Sequence, residues 1–200
     1  ALAEFLIDNF STTPFADAET PVEEDTRIQN LAFRDDTVLN DSGTPTPSSG
    51  IDFEGDDFTA GTIVSDQLTG LTVTADGFGA MIFDTANPTG GDRDLASNTL
   101  GNVLILSEDG DTSDADDNAA GGTFQFAFNN LVAINSITVL DVEEGGTIEA
   151  FGADGSSLGI VDIAATANGA VGTVDVNAEE VSSLNVTLNG SGAIADILFA

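Results

Sequence analysis

The chain has 200 residues, with 35 Asp plus Glu against three Arg and no Lys, and a formal net charge of −32. So few cations cannot displace counterions from phosphate, and anionic lipid repels such a surface, which excludes nucleic acid and the membrane surface as partners. The absence of His and Cys removes the usual zinc sites, thiol chemistry and Ser-His-Asp triads. A content of 41% hydrophobic residues with 13 Phe separates the chain from a disordered acidic tail.

No apolar run approaches the ~20 residues that span a bilayer, so membrane insertion is not expected. The sequence begins at Ala1 without Met and with neither a basic nor an apolar leader region. The expectation is a mature secreted product, extracellular or held at the cell surface.

In chain order, residues 1–41 form an N-terminal arm with strand-like stretches at 3–8 and 26–33. Alone it is too short to bury a core. Either these strands pack back on the rest of the chain or one of them pairs with a neighbouring copy as a donor strand. Two of the three cations, Arg27 and Arg34, lie in this arm. Residues 42–50, Ser-Gly-Thr-Pro-Thr-Pro-Ser-Ser-Gly, have the composition of an extended linker.

Residues 51–200 form the main domain. Apolar and polar residues alternate at period two in short runs between Gly, Asn, Asp and Ser breaks, the mark of half-buried strands. The runs fall at 62–65, 71–74, 80–83, 103–106, 123–128, 134–140, 147–151, 158–162, 173–176, 184–188 and 194–199. Residues 177–182 are compatible with a single helical turn, and no longer helical period occurs. The pattern predicts an all-β antiparallel sandwich with an N-terminal extended arm.

The acids are not evenly spread. Residues 84–117 hold nine of them, Asp84, Asp92, Asp94, Glu108, Asp109, Asp111, Asp114, Asp116 and Asp117, with Arg93 as the one cation among them. Crowded carboxylates repel one another in water, and a hard divalent cation reverses the sign. Calcium takes six to eight oxygens from carboxylates, amide and backbone carbonyls and water. The run from Asp109 to Asn118 supplies them densely. It is not an EF-hand: counted from Asp114, Ala119 stands at the glycine position and Gln125 at that of the bidentate Glu. Asp52, Glu54, Asp56 and Asp57 form a second acidic patch, and Asp141, Glu143 and Glu144 a third. Each suits an ion site or an ordinary charged hairpin end.

Several stretches carry a family resemblance: Asp84-Thr85-Ala86-Asn87-Pro88, Gly90-Gly91-Asp92-Arg93-Asp94, residues 101–109, residues 116–124, Leu140-Asp141-Val142-Glu143-Glu144 and Gly190-Ser191-Gly192. Together they resemble a secreted calcium-dependent β-sandwich module of cyanobacterial and marine bacterial surface proteins. They are also similar to the ligand-binding domains of RTX adhesins. The resemblance covers residues 51–200. It implies a jelly-roll-like sandwich with several bound calcium ions, Asp84, Asp92, Asp94, Glu108, Asp109, Asp116 and Asp117 among the ligands, and a role in adhesion or surface structure.

Carboxylate pairs are the only general acid-base equipment present, and Asp84-Thr85-Ala86 is one copy of a motif whose chemistry needs two Asp sharing a proton. Catalysis is therefore not expected. The expected function is that of an extracellular, calcium-stabilised, non-enzymatic structural protein that assembles with copies of itself into a fibre or matrix through its N-terminal strand. The alternative is an adhesin module that binds a surface carbohydrate or peptide through calcium. The absence of Trp and Tyr removes the stacking platforms that sugar-binding relatives commonly use.

Overall fold

A computed structural model describes residues 36–39 and 45–200, with residues 36–39 and 45–48 described by backbone alone. The expected strands at 3–8 and 26–33 lie outside the described residues. Strand β1 (Asp36–Leu39) pairs antiparallel with β2 (Pro45–Ser48), Asp36 opposite Ser48. Part of the stretch expected as a linker thus forms one arm of a small hairpin.

The remaining strands are β3 (Gly50–Ile51), β4 (Ile63–Val64), β5 (Leu71–Ala75), β6 (Ala80–Asp84), β7 (Asn102–Leu106), β8 (Gly122–Leu140), β9 (Gly146–Phe151), β10 (Ser157–Ile163), β11 (Val171–Leu188) and β12 (Ala193–Phe199). All ladders are antiparallel. The protein is an all-β antiparallel sandwich.

Two long strands turn one continuous ladder into two layers. The first half of β8 pairs with β5 and with the second half of β11, which continues through β9 to β10. The second half of β8 pairs with the first half of β11 and with β12, which continues through β7 and β6 to β4. The bend in β11 is made by successive register shifts between Asp175 and Ser183, where Asn177 and Glu180 adopt left-handed φ of 48° and 56°. The helical turn expected at 177–182 is therefore a bulged corner of a strand, because bulges bend a strand and sharpen its twist without breaking it.

The alternation places Phe124, Phe126, Leu184, Val186 and Val73 from one layer against Ile137, Val139, Ile194, Ile197, Leu104 and Ile82 from the other, all in one buried cluster. β6 and β7 are apolar without alternation, as strands covered on both faces are. Their second face carries Met81, Phe83, Val103 and Ile105, which with Ala193 and Ala195 pack under Leu95, Leu100 and Ala115. The β6–β7 connection therefore folds back over the outside of the sheet. A 3₁₀ turn at Arg93–Leu95 inserts Leu95, fully buried, as its anchor. Thr85 pins the base of this connection: its main-chain N–H donates to Gly101 O, and its buried hydroxyl lies 2.7 Å from that oxygen and 3.1 Å from Ser97 O.

Candidate functional site

The registers put the β7–β8, β8–β9, β10–β11 and β11–β12 connections at one end of the sandwich, since Leu106, Leu140, Val171 and Ala193 all close their ladders there. The folded-back β6–β7 connection delivers Asp92 and Asp94 to the same rim. The Asp117 N–H donates to Asp92 Oδ2 at 2.8 Å, the Gly90 N–H to Asp114 Oδ1 at 2.8 Å, and Thr89 Oγ1 to Ala115 O at 2.7 Å. These three bonds lock the two acidic connections face to face.

Behind them, Asp117 is buried, and its Oδ2 accepts the Gly192 N–H at 2.7 Å. Asp141 is 1% exposed and has a left-handed φ of 59°. Its Oδ1 accepts the Gly169 N–H and its Oδ2 the Ser191 hydroxyl at 3.3 Å. Asn168 Nδ2 donates to Asp94 Oδ2 at 3.4 Å. Main-chain N–H groups from two glycines are thus aimed at the two most enclosed carboxylates, which lowers the cost of burying them.

The remaining repulsion registers in protonation. Asp92 is pushed up to about 7, first by burial and then by the negative charges of Asp117, Asp116 and Asp94, against the opposing bond from the Asp117 N–H. Asp116 is raised by burial and by Asp109, Glu108, Asp114 and Asp117, and Asp141 by burial and by Asp94 and Glu143. Asp116 Oδ1 is enclosed with no hydrogen-bond partner. Arg93 is the sole Arg among the described residues.

Of the predicted residues, the fold brings together Asp92, Asp94, Asp116, Asp117, Asp141 and Glu143, with Glu108, Asp109 and Asp114 at the outer margin. Asp111 instead caps its own turn, accepting the Ser113 N–H and hydroxyl, which lowers its pKa. Asn118 accepts the Ala120 N–H. Asp84 lies at the opposite end of β6, accepting from the Ala86 N–H and Asn87 Nδ2. Asp52 and Glu54 are also away from the rim: Glu54 Oε1 accepts the Asn102 N–H at 2.7 Å, and both line a pocket of about 250 Å³ with Asp196.

Sequence reasoning missed Asp196, which sits in β12 between two apolar residues and resembles any outward strand position. It also missed the donor roles of Gly169 and Gly192, whose turns hold no acid; the carboxylates they meet are 28 and 75 residues away in the chain. Among the described residues, no three carboxylates converge closely enough to hold a metal ion as they stand. The rim presents them as pairs, Asp92 with Asp117 and Asp94 with Asp141. An ion there would complete its six to eight oxygens from carbonyls and water. The enclosed, unpartnered Asp116 Oδ1 and the hard-oxygen donor set fit calcium; they offer nothing to a metal that needs nitrogen or sulfur.

An antiparallel β-sandwich with an acidic rim is thus the class that fold and site define. The chain matches no protein-family model and no curated protein. Among solved structures it is similar to a Streptococcus pneumoniae fucose binding module, with 7% identity over 71% of this chain and 97% of that one and a TM-score of 0.37. It is also similar to the family 32 CBM from C. perfringens NanJ in complex with galactose, with 14% identity over 64% and 97% and a TM-score of 0.35. A third is the lectin domain of lectinolysin complexed with Lewis B antigen, with 9% identity over 60% and 89% and a TM-score of 0.34. Identities this low give no residue correspondence, so the chemistry of the rim rests on this chain's own side chains.

Proposed function

We propose that this chain is a non-enzymatic extracellular module whose acidic rim binds calcium and, through it, a carbohydrate or peptide ligand. One observation carries the reading. Three connections deliver Asp92, Asp94, Asp116, Asp117 and Asp141 to one rim, with Asp92 pushed up to about 7 and an Asp116 oxygen that has no partner. A fold built without a cation would gain nothing from such crowding, whereas calcium turns each repulsion into a shared attraction. The Asp92–Asp117 pair would hold the ion most directly, with Asp116, Asp94 and Asp141 beside it and carbonyls and water completing the shell. When bound, calcium supplies charge neutralisation and open coordination positions for the hydroxyl or carboxylate oxygens of a ligand. Calcium at extracellular concentrations matches the 10⁻⁴–10⁻³ M affinities of extracellular modules. Among the described residues no helix is long and apolar enough to cross a membrane.

Titration calorimetry with calcium tests this, alongside melting in calcium and in chelator. The expected result is binding that Asp116→Asn weakens and a melting temperature that falls on chelation. A melting temperature indifferent to chelator, with no heat of binding, rejects it. A glycan and peptide array read with and without chelator then identifies the ligand.

A second reading, assembly with other copies into a fibre or matrix, is favoured by a separate feature. Strand β10 ends the sheet order, with Leu158 46% and Ile160 61% exposed on it. Exposed apolar edge strands are templates for strand addition.

A further inference from the structure

The two sides of the sandwich are closed differently. On the β4–β5 side the Val73 N–H donates to Ser65 O at 2.6 Å, stitching the layers together. On the other side the unpaired edge of β10 faces the first half of β11, and among the described residues these two strands share no ladder. Two hollows of about 290 and 350 Å³ meet at Val161 and run along this seam, from Leu158 to Thr166 on one lip and from Gly172 to Glu179 on the other. Their floor is apolar: Ile148 and Ala150 from β9, and Val174, Val176 and Ala178 from β11, pack on or within the core. Their outer margin is acidic, with Asp162, Asp175 and Glu179 exposed.

We propose that this seam is an acceptor groove for residues 27–34 of a second copy of the chain, added as a strand between β10 and β11. The proposal rests on the self-assembly reading and gives it a site. The lips span nine and eight residues, and the eight residues Arg-Ile-Gln-Asn-Leu-Ala-Phe-Arg extend to roughly 26 Å at about 3.3 Å per residue. In an extended strand Arg27, Gln29, Leu31 and Phe33 share one face, of which the Leu31–Phe33 half suits the apolar floor. Arg34 takes the opposite face, beside the acids of the margin. This stretch holds two of the chain's three cations and no acid, so it is the segment whose charge complements an acidic body.

The source follows from the tether. Arg34 is two residues from Asp36, which is laddered opposite Ser48, and that strand leads through Gly50 to the far edge of β12. From there β12, β8 and β11 separate it from the groove, roughly 14 Å at about 4.8 Å per strand. A neighbouring copy carries no such restraint.

The chain has no Cys, so disulfide trapping reads the contact directly. Full-length Phe33→Cys and Val161→Cys proteins, each shown by melting to be folded, are mixed and oxidised. The expected product is a mixed disulfide dimer, with Arg27→Glu/Arg34→Glu weakening association in light scattering by about tenfold. A doubly substituted chain that closes only on itself at high dilution, with no mixed dimer, overturns the second copy as donor. Assembly in light scattering without any disulfide across the seam overturns the groove and leaves self-assembly standing. A chain that stays monomeric at every concentration overturns both.

Discussion

The main-chain N–H of Asp117 donates to the Asp92 carboxylate over 2.8 Å, joining connections 25 residues apart. This bond holds Asp92 where burial and three neighbouring acids raise its pKa to about 7. An unfolded Asp titrates near ~3.9. Between those values the native chain keeps a proton that the unfolded chain has lost, so stability in chelator falls as pH rises from about 4 to about 7. Solvent screening of this half-buried group limits the effect to roughly 1–2 kcal/mol, a shift of a few degrees. Thermal melts of the chelated protein across that range should show the decline, and Asp92→Asn should flatten it and raise the melting temperature near pH 8. A chelated wild type whose melting temperature climbs between pH 4 and 7 contradicts the assignment.

Asp117 does a different job. Its Oδ2 accepts the buried Gly192 N–H at 2.7 Å, so Asp117→Ala leaves that donor without a partner at a cost of about 1–3 kcal/mol. Asp117→Asn keeps a carbonyl oxygen in place and removes a charge that raises Asp92 and Asp116. Urea unfolding in chelator should therefore rank wild type and Asn close together and Ala well below. If Asn is as damaging as Ala, the negative charge itself stabilises the metal-free fold, contrary to this account.

Strands such as β5, β9 and the first half of β8 were legible because they alternate: Phe124 and Phe126 are buried while Gln125 between them is not. What the residues did not announce is that residues 123–128 and 134–140 are two halves of one strand. The same holds on β11, where the break at Asn177 and Glu180 is a bulged corner with left-handed φ, and polar bulges and polar turns have the same composition. The rim was partly legible, since acid density marked Asp92, Asp116 and Asp117. The separation of Asp84, Asp52 and Glu54 from it depends on the β6–β7 connection folding back through Leu95, a tertiary choice with no local periodicity to betray it.

That choice gives a prediction in which packing controls the site. Leu95 is fully buried against the outer face of β6 and β7 and lies one residue from Asp94 and three from Asp92. Leu95→Ala should cost about 2–5 kcal/mol and, by loosening the connection, weaken calcium binding as well. Val73→Ala, on the inner face and away from the rim, should destabilise without changing calcium affinity once both proteins are measured well below their melting points. Equal calcium affinities in the two variants would mean that the connection does not position the site.

Gly90 makes a sharper version of the same point. Its φ is 64°, its N–H donates to Asp114 Oδ1, and a Cβ there would overlap the Cβ of Asp116. Gly155, with φ 76°, has open space where its Cβ would go. Both Gly→Ala changes incur the ~1–2 kcal/mol of a left-handed alanine. Gly90→Ala must in addition displace Asp116, so it should lose more stability than Gly155→Ala in calcium and bind calcium more weakly. In chelator the gap between the two variants should narrow, because Asp116 then has no ion to hold. Melting both variants with and without calcium reads this directly. A gap that stays the same in both buffers would show that Gly90 serves the turn alone and not the arrangement of carboxylates around Asp116.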